Sequence, residues 1–294
     1  MILYRSRRGI ILAREDRGWR VPARDWGGLI NRPDLEEFLE SVARRRVPLP
    51  RRFDPDRAGL LPPLDVQEVW GAGVTYSRSR EARMEEARDA GGGDFYARVY
   101  DAERPEIFFK STPHRTAGHR QEVRLRRDSR WSVPEPELAL FFNREGNLAG
   151  CTVGNDMSAR DIEGENPLYL PQAKIYDGSC ALGPGLLVTR KFLPPATEIR
   201  MAVLRRHRPV FEGSTTLERF RRDPRALAEY LFRDNRFPGG CFLLTGTGIV
   251  PPRDFSLRPG DEIRISIGPI GTLVNFVAPK NTPRTRSPGA RWKP

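Results

Sequence analysis

Apolar positions along the chain recur in two periods, and the period changes with the region. Leu35, Phe38, Leu39, Val42 and Ala43 fall at helical spacing behind Pro33, which predicts an amphipathic helix with one apolar stripe turned to a core. Arg44, Arg45 and Arg46 close it with charge that suits a helix C-terminus. Asp223-Pro224 supplies an N-cap and a proline at the first helical position, so a second helix is expected to pack through Leu227, Tyr230 and Leu231. A charged helical stretch over residues 79–90 stops at Gly91-Gly92-Gly93.

Elsewhere the runs are short and β-like: residues 107–110, 123–126, 138–142, 148–153, 199–204, 242–244 and 263–267. Turn residues separate many of them, as in Asn143-Arg144-Glu145-Gly146-Asn147, which implies antiparallel hairpins rather than alternating β-α units. The fold class expected is therefore α+β and mainly β. Residues 1–65 read as a small N-terminal α/β module, with the Pro- and Arg-rich stretch 47–63 as its linker. Residues 66–279 read as one larger, β-rich domain and residues 280–294 as a basic flexible tail.

Composition changes this picture little. At 294 residues, with 38% hydrophobic and 30% charged positions, the chain can bury a real core, and disorder is excluded for most of its length. It has no apolar run of bilayer length and no apolar leader after Met1, so no membrane partner and a cytoplasmic location are expected. Cys151, Cys180 and Cys241 are far apart, with no neighbouring His, and read as reduced core residues. The net charge of +12 is almost all arginine, scattered and interleaved with acids, which fits a compositional bias rather than a specific nucleic-acid site. Lysine occurs only at 110, 174, 191, 280 and 293; where it survives among so many arginines, an ammonium is wanted.

Chemistry concentrates at Val133-Pro134-Glu135-Pro136-Glu137-Leu138, where two carboxylates two apart at a strand start share one face. Asp156 ends the next apolar run and can close a site with them. Three converging carboxylates need a hard cation, and oxygen-only ligation favours Mg²⁺, Mn²⁺ or Ca²⁺ over zinc.

Five ordered blocks now resemble the fumarylacetoacetate hydrolase superfamily. They are Glu135-x-Glu137; Thr152-Val153-Gly154-Asn155-Asp156-Met157-Ser158-Ala159-Arg160-Asp161-Ile162; Lys174 followed by Gly183-Pro184; Thr245-Gly246-Thr247-Gly248; and Leu257-x-Pro259-Gly260-Asp261-Glu262. The resemblance spans roughly residues 67–279 and implies that the 66–279 domain is a catalytic mixed β-roll, or distorted sandwich, with a lid helix within a lid at about 76–105. By it, Glu135, Glu137 and Asp156 match the family's metal carboxylates, Lys174 its site lysine and Thr247 its substrate-carboxylate contact.

A departure points to a branch. Relatives that hydrolyse acylpyruvates carry His-x-x-Glu in the lid, a dyad suited to activating water, whereas Ser79 and Ala82 stand at those positions here. Residues 73–84, 93–96, 108–115 and 161–174 instead resemble the sugar-acid branch of 2-keto-3-deoxy-pentonate (arabinonate or xylonate) dehydratases.

The expected reaction is divalent-metal-dependent dehydration of such a small anionic 2-keto acid to 2,5-dioxopentanoate through a metal-stabilised enolate. Lys174 is the first candidate for the C3 base, and Glu163 or Glu81 the second. Arg78, Arg80, Lys110 and His114 join Thr247 as candidate substrate contacts. Arg160 and Asp161 are expected to brace the metal shell as an ion pair. The rivals are a C–C hydrolase of 2,4-diketo acids and, from another class, a noncatalytic protein that associates with nucleic acid. The resemblance also implies a homodimer or homotetramer.

Overall fold

The structure, a computed structural model, describes residues 1–15, 17–79, 84 and 98–279. The chain opens with three short strands, β1 (Ile2–Ser6), β2 (Gly9–Arg14) and β3 (Arg17–Arg20), joined as antiparallel hairpins. Two helices follow, α1 (Trp26–Ile30) and α2 (Leu35–Arg45). Asp25 caps α1 by accepting from the Gly28 N–H. The apolar stripe read from the sequence buries Leu35, Leu39 and Val42.

The body that follows contains β4 (Glu68–Gly73), β5 (Glu106–Ser111), β6 (Thr116–Ala117), β7 (Gln121–Val123), β8 (Ser132–Val133), β9 (Pro136–Phe142), β10 (Leu148–Asp156) and β11 (Ser158–Ala159). Next come helices α3 (Arg160–Glu165) and α4 (Leu170–Lys174), then β12 (Cys180–Val188), β13 (Glu198–Arg205) and β14 (Arg208–Thr216). Helix α5 (Pro224–Phe232), capped by Asp223 as expected, leads to β15 (Cys241–Leu244), β16 (Glu262–Ile267) and β17 (Gly271–Val277).

These strands form a ten-stranded sheet in the order β3-β2-β1-β12-β10-β9-β15-β4-β5, with β6 beside β12, and a five-stranded sheet, β14-β13-β16-β17-β7. A small β8–β11 pair completes the roll. Strand β9 is buried along its whole length because each of its faces meets a different core. Leu138, Leu140 and Phe142 join Val203, Ile263, Ile265 and Leu273 between the two sheets. Ala139 and Phe141 turn to the other face, where Phe242 and Leu244 pack with Trp26, Leu29, Leu35 and Leu39 of α1 and α2. Burial on both faces explains why the strand reads as an unbroken apolar run. Each large side chain so buried is worth about 1.5–3 kcal/mol.

Three expectations change. The hairpins are mostly antiparallel, but β4–β15, β6–β12 and β7–β17 pair in parallel, because strands distant in sequence are brought together and no turn chemistry dictates their direction. The expected boundary near residue 65 does not interrupt the sheet: β1 pairs with β12, Ile2 opposite Leu187 and Leu3 opposite Leu186. Residues 47–63 are no free linker. Leu61 N–H donates to the Arg5 carbonyl at 2.8 Å, Leu49 N–H to Gly18 at 2.7 Å, and Asp56 meets the buried His119 at 2.7 Å.

Of the lid helix expected over 79–90, only Ser79 and Met84 are among the described residues, and the tail at 280–294 lies outside them. No helix among the described residues is long and apolar enough to cross a membrane.

Candidate active site

Antiparallel pairing of β9 with β10 sets Gly154 opposite Glu137 and Asn155 opposite Pro136. The Asp156 N–H then donates to the Glu135 carbonyl at 2.9 Å, so Asp156 lies beside Glu135 on the face that carries Glu137. A carboxylate oxygen from each of Glu135, Glu137 and Asp156 lies within 4.8 Å of the others, and all three residues are at most 2% exposed.

Charges converge on this trio from two short helices and one strand. Arg160, the first residue of α3, puts Nη2 2.6 Å from Glu135 Oε1. Lys174, the last residue of α4, donates to Glu135 Oε2 at 2.6 Å, Asp156 Oδ2 at 3.1 Å and Ser158 Oγ at 2.6 Å. Lys110 on β5 pairs with Asp156 Oδ1 and donates to the carbonyls of Met157 at 2.9 Å and Lys174 at 2.6 Å. Glu163 lies 3.9 Å from Arg160 Nε, and Glu163, Arg160 and Lys174 are all 1% exposed. Four buried carboxylates thus face three buried cations. A divalent ion together with a substrate carboxylate would bring that cluster to formal neutrality, which buried charge requires. The donor set is all oxygen and crowded, and so fits a hard dication such as magnesium.

Glu137 receives its hydrogen bond from the loop after β15: the Gly246 N–H donates to Oε2 at 2.5 Å. Gly246 has φ +92° and a Cβ there would stand 2.0 Å from Thr75 Oγ1, so only glycine fits. Burial, reinforced by the charges of Asp156 and Glu135, holds the Glu137 carboxyl well above the usual range, against the opposing pull of Lys174 and the Gly246 N–H. Tyr76 packs its ring 5.4 Å from Phe220; burial and then the Glu137 charge raise its phenol.

The structure brings Glu135, Glu137, Asp156, Lys174, Glu163 and Lys110 together. Thr247 is buried, with its hydroxyl engaged by Ile249: it accepts from the Ile249 N–H and donates to its carbonyl, both at 3.2 Å. Arg78 and His114 are exposed, with His114 3.0 Å from Thr112 Oγ1. Arg80, Glu81 and Ala82 lie outside the described residues. Ser79, at the position of the missing lid histidine, closes a turn by donating to the Tyr76 carbonyl at 2.8 Å.

The expected Arg160–Asp161 ion pair gives way to another arrangement. Asp161 accepts from Ser129 Oγ and the Arg130 N–H, both at 2.6 Å, and pins the loop before β8, while Arg160 turns to Glu135 and Glu163. Consecutive residues at a helix start point in different directions, so adjacency in sequence does not pair them. Sequence reading missed Ser158 and Gly246; both sit inside matched blocks, and that was their only signal.

Comparison with known proteins follows the same outline. The profile of the fumarylacetoacetate (FAA) hydrolase C-terminal family matches residues 69–278. A 2-dehydro-3-deoxy-D-arabinonate dehydratase from Saccharolobus solfataricus is 46% identical over 220 residues, 74% of either chain. A probable 2-keto-3-deoxyxylonate dehydratase from Haloferax volcanii is 45% identical over 216 residues, 73% of either chain. Among solved structures, a 2-keto-3-deoxy-D-arabinonate dehydratase complexed with magnesium and 2,5-dioxopentanoate superposes with a TM-score of 0.77 at 35% identity, covering 95% of this chain and 99% of that one.

Proposed function

We propose that this chain, which belongs to the fumarylacetoacetate hydrolase family, is a magnesium-dependent hydro-lyase that converts a 2-keto-3-deoxy-pentonate into 2,5-dioxopentanoate. The observation that carries the reading is the buried trio Glu135, Glu137 and Asp156 in a chain whose similar relatives are named dehydratases of this substrate class. Those three carboxylates would hold the ion. Magnesium bound there would supply Lewis-acid chemistry for a 2-keto acid and positive charge beside Lys174.

Lys174 Nζ, already within 3.1 Å of two of the carboxylates, is the group assigned to take the C3 proton. The C4 hydroxyl takes a proton and leaves as water, forming a C3–C4 double bond; loss of a C5 proton and protonation at C3 give the C4–C5 enol, which gains a proton at C4 and loses its hydroxyl proton to become the C5 aldehyde. Glu163, buried behind Arg160, is the second carboxylate available to move a proton. Thr247, Arg78 and His114 are assigned to the substrate's anionic and hydroxyl groups; Arg80, a further candidate contact, and Glu81, an alternative base, lie outside the described residues. Ser79 in its turn activates no water, which favours elimination over C–C hydrolysis. Small-molecule turnover is also the reading under which the positive surface needs no nucleic-acid partner.

The test is to incubate the protein with Mg²⁺ and either enantiomer of 2-keto-3-deoxy-pentonate, or an acylpyruvate, and follow products by NMR in D₂O. Formation of 2,5-dioxopentanoate with deuterium at C3 is expected. Release of pyruvate and a free acid from the acylpyruvate alone would replace the dehydratase with a hydrolase.

A further inference from the structure

Lys110 was expected from its sequence block to touch substrate, yet its surroundings point to a different task. Its side chain is fully buried, and an ammonium has three N–H groups in a tetrahedral spread. Here the ammonium meets three oxygens from two separate pieces of chain: it pairs with Asp156 Oδ1 at the end of β10, and it donates to the carbonyl of the next residue, Met157, at 2.9 Å and to the Lys174 carbonyl at 2.6 Å. The last of these is a carbonyl at the C-terminus of α4, where the backbone has no helical N–H left to satisfy it. One cation therefore ties the backbone that carries Lys174 to the side chain of Asp156, on the side of that carboxylate away from Lys174 Nζ, which takes Oδ2.

We infer that Lys110 is a positioning residue: it turns the Asp156 carboxylate toward Glu135 and Glu137 and anchors the end of α4 from which Lys174 reaches the same oxygens. The inference rests on reading that trio as a metal site. It also explains why lysine persists at this position in a chain whose 50 basic residues are almost all arginine. A planar guanidinium sends its donors into one plane and needs more room than a fully buried ammonium occupies, so it cannot reach three acceptors arrayed around a point.

Lys110→Arg is the decisive variant, because it keeps the charge and alters only the geometry. Mn²⁺ affinity should be measured by calorimetry on purified wild-type and Lys110→Arg protein, with kcat and KM for the pentonate determined on the same samples. Positioning predicts Mn²⁺ affinity weakened by roughly tenfold or more in Lys110→Arg, with kcat falling and KM little changed. Wild-type Mn²⁺ affinity with a raised KM would make Lys110 a substrate contact and overturn the inference; unchanged values throughout would overturn it as well.

If Lys110→Arg does not fold, thermal unfolding of Lys110→Met, Asp156→Asn and their double variant decides. A double variant no less stable than the weaker single supports the tie between the two residues, and fully additive losses reject it. Wild-type protein that binds Mn²⁺ but leaves the pentonate unchanged would sink the dehydratase reading alone.

Discussion

Two clusters of basic residues in this protein use their charge in opposite ways. In the carboxylate site, Lys110, Lys174 and Arg160 are at most 1% exposed and each has a named acidic partner on the neighbouring strands. In a cleft of about 940 Å³ between the β1–β3 hairpins and residues 49–58, Arg8, Arg20, Arg51, Arg52 and Arg57 stand around the single acid Asp54. There the side chains are exposed; the Arg57–Asp54 pair, at 3.4 Å, is 89% and 49% exposed. The cleft holds more formal charge, but water screens it, and surface pairs of this kind contribute about 0–1 kcal/mol. In the site burial removes most of that screening, so losing one partner strands another at a cost of about 3–5 kcal/mol. Burial, not the number of arginines, decides where charge does chemistry.

The largest effect expected is from Glu135→Gln, which removes the partner of both Arg160 and Lys174 and one of the three proposed ligands. Metal binding and turnover should disappear together, with a fall in Tm; full activity in metal-free buffer would break the assignment.

Lys174→Met comes next. Turnover and C3 proton exchange should drop by about 10²–10⁴-fold while Mg²⁺ still binds. Exchange at the wild-type rate would move the base to Glu163 or to the lid.

A smaller effect follows from the raised Glu137 carboxyl. Its folded value lies above its unfolded one, so in metal-free protein the group's contribution to stability is full below the ordinary carboxylate range, near pH 4.3, and is lost as pH rises through the raised value. Metal must displace that proton, so Mg²⁺ affinity should weaken on acidification and binding should release protons. Titrations in buffers of different ionisation enthalpy would report this, and pH-independent affinity with no proton release would contradict it.

The smallest effect belongs to the cleft. Arg8→Glu combined with Arg51→Glu should leave kcat/KM unchanged and shift Tm by no more than about 2 °C. A large loss of activity would mean that the exposed arginines matter as much as the buried ones.

Much of the site was legible along the chain. Glu135 and Glu137 announce themselves because alternation on a strand puts residues two apart on one face, and that holds before any tertiary contact forms. Asp156 was legible because it ends an apolar run. The Leu35–Arg45 helix and the Asp223 cap were legible for the same local reason: periodicity and capping act within a few residues. Lys110 was found in its block, but nothing within its own strand says that Asp156 and the end of α4 would lie against its ammonium. Nor does anything local say that Asp161 turns to Ser129 and Arg130 rather than to Arg160.

The sequence by itself determined the short-range facts: the helix over residues 35–45, several but not all of the strands, which carboxylates share a face, that the cysteines are reduced core residues, their thiols at Cys151 and Cys180 now pushed up to about 12 by burial, and which family motifs occur in order. Only the tertiary structure decided how those pieces meet. It ran the N-terminal hairpins into the catalytic sheet through β1 and β12, laid three strand pairs in parallel, and directed each buried cation to its carboxylate. The physical reason is that strand order and ion pairing depend on groups brought together across long stretches of chain. Burial then magnifies those contacts, and no local pattern of residues encodes them.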